Sequence, residues 1–592
     1  MSKSTSLYNK YLLFIAGLGG LLYGIDVGVI AGALPYLQAT TDYSAAQLST
    51  VVAAVLLGSV LSSLFAGALS DLFGRKKVML LAGVCFVLSV PVICSPFGFE
   101  ALVLGRILQG AAAGLIGVVV PLYLAECLTA DKRGFGTGMF QFMLTVGLVF
   151  AAVAGIICAE YVDGVEAAQY ASVQAKAGAV FDAKDLAWRA IFWICAIPGV
   201  IFTVGALFIS ESARWLYGKG KTEAALKALE RSRGPEQAQK ELAGMGAEAP
   251  AEDADAEADK PKDSLFQKKY IVPFVLAVVI LACNQATGVN SVLAYIVDVL
   301  KQAGLEGSLA NQGDLVVKIL NMVMTIFAMI LVDRKGRKFL LTVGTSGIII
   351  GLLGVATLFF NSERKMVDCS EKIRFSSVEK VETTVTAEGK EVSENVVYEA
   401  DMPLPAPVLG SLAGLSDVKD FQIKIVYTQG EEKVIKTIIA KQDSPVEDIT
   451  FKVKRAMNDE GTEVLPFEVE SVEVGPLPSA LNGWLVTLFF AIFIASFAVG
   501  PGVCVWLALS ELMPNRIRAT GMSIALLINQ GVSTVIAGTF LPVVGSYGYS
   551  TIFFFCAGCT VIYWITAVFF LPETKGRTLE EIEAHFEGKK KL

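Results

Sequence analysis

One carboxylate stands where burial argues against it. Asp26, in "LLYGIDVGVIAG" (21–32), lies near the middle of a run from Tyr11 to Leu37 that is otherwise free of charge. If that run crosses a bilayer, an ionised carboxyl there costs roughly 2.5–3.5 kcal/mol. It therefore calls for a partner, a water-filled cavity or a proton. Arg106, in "GRILQG" (105–110), is the only basic residue between Glu100 and Glu126. A carboxylate and a guanidinium facing each other between apolar segments can hold and release a proton, because protonation weakens the pair; they can also form a static bridge. Amides are scattered through other apolar runs, together with Trp506: Gln141, Asn284, Gln285, Asn290, Asn321 and Asn529. They offer neutral donors and acceptors, and Trp506 an aromatic face, which suits an uncharged polar ligand. Amides of this kind also serve as glue between membrane helices.

Other chemistries find little support. The one histidine, His585, lies in a polar C-terminal stretch, so no His-based triad or His-rich metal site can form within the apolar runs. Nine of ten cysteines (all but Cys369) lie in apolar runs, where a free thiol behaves as a small hydrophobe. Cys556 and Cys559 form a CxxC, read as two packing residues. There is no nucleophile–base pair, phosphate loop or metal cluster, so neither an enzyme nor any cofactor is expected, and the net charge of −7 gives no sign of nucleic acid. No cleavable signal follows the first run.

The elements that must position these residues are long apolar helices. Of 592 residues, 54% are hydrophobic and 18% charged, against about a quarter charged in a soluble protein. About 20 apolar residues cross a bilayer as a helix. Twelve spans are read at 11–37, 46–70, 78–96, 99–127, 135–160, 188–209, 270–297, 313–332, 339–360, 482–511, 517–541 and 549–571. With alternating spans the basic clusters 75–77, 132–133, 334–338, 516–518 and the tail share one side, which the Lys/Arg rule makes cytoplasmic along with both termini.

The chain also repeats. "DLFGRKK" (71–77) returns as "DRKGRK" (333–338), "AECLTADKRGFGTG" (125–138) as "SELMPNRIRATG" (510–521), and "ESARWL" (211–216) as "PETKGR" (572–577). Glu126 and Arg133 are spaced as Glu511 and Arg518 are. Three pairs in one order indicate two homologous halves. Their spacing places an insertion in the second half, which the polar stretch 361–479 fills, and a smaller one at 161–187 in the first.

The organisation expected is a first six-helix half (1–210), a linker with amphipathic helices and an acidic disordered stretch (211–268), and a second half (269–360 and 480–571). A small α+β domain (361–479) is inserted outside the membrane, and a tail (572–592) follows. Within the insertion, 372–392 and 421–441 read as hairpins and 444–461 as a helix opened by a capping box at Ser444 and Glu447.

These motifs, with "PLYLAE" (121–126), "NQATGVN" (284–290), "GPGVCVW" (500–506) and "PETKGRT" (572–578), identify a family. The chain resembles the sugar porters of the major facilitator superfamily (MFS), especially bacterial proton–sugar symporters and proton–myo-inositol cotransporters, over nearly everything outside 361–479. The resemblance implies an all-α membrane fold of twelve helices in two pseudo-symmetric halves. It implies alternating-access transport of a monosaccharide or polyol, with the proton as coupling ion and Asp26–Arg106 as the coupling pair. It places sugar contacts at Gln141, Asn284, Gln285, Asn290, Asn321, Trp506 and Asn529. It implies salt bridges at cytoplasmic helix ends from Arg75, Glu126, Arg133, Glu211, Arg214, Arg334, Arg337, Glu511, Arg518 and Glu573, which clamp the halves in the outward-open state; positive-inside charge and helix capping are the blander account.

Asn284 stands where many members carry Gln, Ala294-Tyr295 where many carry two tyrosines, and Ala498 and Gln530 where some facilitators carry Glu and Trp. Hexose, pentose and inositol all stay open. A passive uniporter is the nearest alternative. A transporter-like receptor is less expected, because only about 20 residues follow Leu571, where such receptors carry long extensions. The partners expected are the sugar and the lipid bilayer of a plasma or bacterial inner membrane, with an unknown partner open for the insertion.

Overall fold

The computed structural model describes residues 3–41, 43–95, 97–128, 130–170, 172–247, 267–305, 307–370, 376–385, 391–402, 420–429, 432–441, 449–454, 467–504, 512–513, 518–573 and 585–586. Among these residues, twelve helical segments are long and apolar enough to cross a membrane. The first six are α1 (Lys3–Thr40), α2 (Ala45–Phe73), α3 (Arg75–Ile93), α4 (Gly98–Cys127), α5 (Ala130–Ala167) and α6 (Val173–Ala206). Three shorter helices follow: α7 (Ala213–Gly218), α8 (Thr222–Arg233) and α9 (Pro235–Ala247).

The seventh span is split into α10 (Lys268–Ala286) and α11 (Val289–Gln302). Gly288 sits between them at φ +79°, a left-handed conformation that favours glycine. The rest are α12 (Ser308–Lys335), α13 (Arg337–Glu363), α14 (Ala480–Val499), α15 (Arg518–Tyr547) and α16 (Tyr549–Ile565). α16 runs on into a π-helical turn, Thr566–Phe570.

Packing on the two sides of these helices differs in kind. Bundle-facing residues such as Phe86, Phe202, Phe490 and Phe493 are fully buried, whereas Phe65, Trp193, Phe208 and Phe569 project outward. Outward apolar side chains are what a lipid solvent requires. Within the halves α1 packs on α5, α2 on α4 and α13 on α14; between them α2 meets α15, α5 meets α12 and α1 meets α11.

The insertion between α13 and α14 is built from strands. β1 (Val367–Asp368), β7 (Phe467–Pro476), β4 (Asp420–Gln429) and β5 (Glu432–Lys441) form one antiparallel sheet in that order. β2 (Ser376–Val385), β3 (Glu391–Met402) and β6 (Ile449–Lys454) form a second. Both expected hairpins are present, as β2–β3 and β4–β5. The helix expected over 444–461 is corrected: Ile449–Lys454 is a strand paired with β3. "ITFKVK" alternates with period two and is rich in β-branched residues, and the unpaired edge of β3 supplies a ladder. The capping-box residues 444–447 lie outside the described residues, and among the described residues the regular structure of the insertion between α13 and α14 is strand.

Candidate functional site

The position of Asp26 is set by glycines. Gly20, Gly24, Gly28 and Gly32 recur every four residues on the face of α1 that packs on α5. A methyl group on Gly24 would stand 1.8 Å from the Leu144 carbonyl oxygen, and one on Gly20 2.3 Å from that of Phe140. Bare backbone therefore lets the two helices close, as in small-residue membrane interfaces. Asp26 lies off this stripe and faces the first half's interior, with the carboxyl buried at 3% exposure.

Arg106 on α4 is fully buried nearby, and the two charges act on each other. They face one another without a direct bond. Asp26 Oδ1 and Arg106 Nε and Nη2 have no hydrogen-bond partner, and Arg106 Nη1 donates to Gln109 Oε1 at 2.6 Å. The guanidinium carbon also sits 5.8 Å from the Phe192 ring centroid. Gln109 is a site residue that sequence reasoning misses, although its i,i+3 spacing from Arg106 within "GRILQG" carries the signal. Tyr23, one turn before Asp26, faces Ser59 and, across the halves, Gln530.

Three of the expected amides, Gln285 and Asn529 buried and Asn290 half-buried, form one network at the break in the seventh span. Gln285 Nε2 donates to Asn529 Oδ1 at 3.2 Å. Asn290 Nδ2 donates to Gln285 Oε1 at 3.1 Å and to Ser533 Oγ at 2.8 Å. Asn529 Nδ2 donates to the Leu281 carbonyl at 2.9 Å. The i,i+5 pair Gln285–Asn290 meets because Gly288 turns the chain between them. Asn284 is buried on α10, its Oδ1 without a partner. Asn321 on α12 is buried, and Gln141 on α5 is half-buried; neither has a side-chain hydrogen bond to this network. Trp506 lies outside the described residues. Amides that satisfy one another can exchange those bonds for ligand hydroxyls.

The family profile described as "Sugar (and other) transporter" matches residues 12–372 and 471–586. The chain belongs to this family. Similar proteins include the probable metabolite transport protein CsbC of Bacillus subtilis, 25% identical over 99% of this chain and 95% of that protein. Probable inositol transporter 3 of Arabidopsis thaliana is 26% identical over 98% and 93%. Among solved structures, the inward-open xylose transporter XylE from E. coli superposes with a TM-score of 0.63 at 20% identity, covering 97% of this chain and 98% of that one, which bears on the fold.

At the end of the porter that carries its basic motifs, the two halves repeat one device. Glu211 Oε1 accepts from the backbone N–H of Arg75 at 2.9 Å and of Lys76 at 3.1 Å, capping α3. Glu573 accepts from Arg337 N at 3.1 Å and Lys338 N at 3.2 Å, capping α13. Gly74 and Gly336 precede these helices at φ +98° and +90°. Arg75 adds a bidentate bond to Glu126, at 3.0 and 2.8 Å, and one to Asp71 at 2.9 Å. Arg214 lines a cleft with Arg75, Glu126 and Trp215. Arg334 ends α12, beside Arg337 at the start of α13. Glu511 and the side chains of Arg133 and Arg518 lie outside the described residues. Each of these capping and bidentate bonds runs within one half.

Contacts across the halves gather at the opposite, insertion-bearing end. Gln38 Nε2 on α1 donates to Asp298 Oδ2 on α11 at 3.2 Å. Ser49 Oγ on α2 lies 3.4 Å from Tyr295 OH on α11, whose proton goes to the Ala537 carbonyl of its own half at 2.9 Å and whose ring stacks on Phe540, centroids 4.4 Å apart. Asp163 Oδ2 on α5 accepts from Ser308 N at 3.0 Å, so the first half caps a helix of the second. Asp298, Asp314 and Lys318, all buried, belong to none of the family motifs, although a charge inside an apolar run is the signal that exposed Asp26.

Proposed function

We propose that this sugar porter is a proton-coupled symporter of a neutral monosaccharide or polyol, working by alternating access, with its basic end and both termini in the cytoplasm. The observation that carries the reading is Asp26, a buried carboxylate with an unbonded oxygen, facing a guanidinium that is itself bonded elsewhere. Such a carboxyl can accept a proton without losing a hydrogen bond, and its charge state alters the field on Arg106 and on Tyr23, which reaches the second half at Gln530.

Opening of the insertion end admits a proton and a sugar. The protonated state favours closure around the sugar, which exchanges its hydroxyls for the mutual bonds of Gln285, Asn290 and Asn529. Opening of the basic end releases both. One charge moving through 100 mV supplies about 2.3 kcal/mol, roughly 50-fold accumulation.

The test is sugar-driven proton movement. Purified protein in vesicles enclosing a pH dye is offered glucose, galactose, xylose, fructose and myo-inositol. At least one should acidify the lumen as it enters. Uptake of a sugar with no proton movement would make the protein a passive uniporter.

A further inference from the structure

α12 carries an ion pair inside the bundle. Lys318 Nζ donates to Asp314 Oδ2 at 2.6 Å, with side-chain exposures of 0% and 2%. The same ammonium makes a long 3.5 Å contact with the Gly28 carbonyl of α1, in the other half. It also lies near Cys195 of α6. The pair therefore sits in the interface between halves, on the insertion side, one helical turn from Asn321. Its neighbours in that interface are the bonds that cross it: Ser308 to Asp163, Gln38 to Asp298, and Tyr295 to Ser49.

A dry ion pair is retained at low cost only if its remaining lone pairs and protons are satisfied. This one is incompletely satisfied. Asp314 Oδ1 has no hydrogen-bond partner, and among the described residues the only hydrogen bond of Lys318 across the interface is the long one to Gly28. A pair built purely to fasten helices would be better bonded. The site has one evident source of relief: if the halves part at this end, water reaches both charges.

We propose that Asp314–Lys318 is a gating pair of the insertion-side gate, whose drying opposes closure and whose hydration drives opening. It keeps the closed gate from becoming too stable, so that bonds gained by loading the amide site one turn away can tip the balance. The inference rests on the alternating-access reading and adds to it the residues that set the gate's poise.

The charge logic predicts effects of opposite sign. Asp314→Leu leaves an ammonium dry and unpaired when the gate is shut, which favours the open gate. Asp314→Leu with Lys318→Met removes both charges at similar volume, which favours the shut gate.

The reporter is Ser49→Cys, a near-isosteric change at a buried position that faces Tyr295 and Leu541 across the gate. A membrane-impermeant maleimide is applied from the insertion side of sealed vesicles, without sugar. Modification of the introduced thiol is followed by peptide mass spectrometry, which separates it from the native cysteines. Asp314→Leu should raise the labelling rate by about tenfold or more, and the double variant should bring it below that of the parent. Asp314→Glu, which keeps the pair, reports whether the fold tolerates change at this position and should stay within about threefold of the parent.

Equal labelling in all variants, or single and double variants moving in the same direction, overturns the proposal. Sugar uptake by the unsubstituted protein in the same vesicles tests the transport reading separately, because the labelling needs no substrate.

Discussion

At the residue scale, the site is composed of groups that satisfy each other only in part. Asn290 makes two of the bonds that hold the amide network, to Gln285 and Ser533. Asn290→Ala removes both and leaves Gln285 Oε1 without its donor, a loss of about 1–3 kcal/mol if a sugar hydroxyl takes the same place. Isothermal titration with the transported sugar should show affinity weakened about tenfold or more, with the fold intact by thermal unfolding. Much of this scale was legible in the chain. Asp26 and Arg106 announced themselves as charges in apolar runs, and Gln285 and Asn290 as amides flanking a glycine.

What was not legible was which groups bond to which. Arg106 spends its shortest bond on Gln109, and Asp26 makes no direct contact with Arg106, a matter of side-chain rotamers and helix rotation that spacing does not specify. Asp314 and Lys318 were legible by the same rule as Asp26. They form an i,i+4 pair of opposite charge, a pattern that also describes countless exposed helix faces, and only the fold puts this one between the halves.

At the element scale, close approach of α1 and α5 is what turns Asp26 toward Arg106. Gly24→Ala places a methyl group 1.8 Å from a backbone oxygen that cannot swing aside. It should lower the thermal stability of the detergent-solubilised protein by about 1–3 kcal/mol. Gly67→Ala on α2, with nothing within 4 Å, is the control. It should be neutral or stabilising by about 0.5–1 kcal/mol, as replacing glycine within a helix generally is. Equal effects at the two positions would show that helix propensity, not contact, sets the result.

The twelve spans were readable because run length and charge spacing are one-dimensional signals. The 449–454 strand was not, because Val446, Ile449, Val453 and Met457 also fit one face of a helix. The free edge of β3, distant in sequence, decided the outcome. The repeated caps show the reverse case. Glu211 and Glu573 were recognised as a pair from sequence order alone, and each closes the N-terminus of the helix that follows its half's "GR" motif.

At the scale of the whole molecule, the two ends are unequal. Among the described residues, bonds between halves gather at the insertion end, while the caps and the bidentate bond at the basic end stay within halves, an arrangement that fits the proposed alternating access with the insertion end shut. The insertion joins α13 to α14 on that same side. The central claim is that Asp26 couples proton and sugar movement across this bundle, and Asp26→Asn tests it most directly. In vesicles the variant should exchange labelled for unlabelled sugar at a rate comparable to the parent, yet fail to concentrate sugar when a pH gradient and membrane potential are imposed. Accumulation by Asp26→Asn equal to that of the parent would contradict the account.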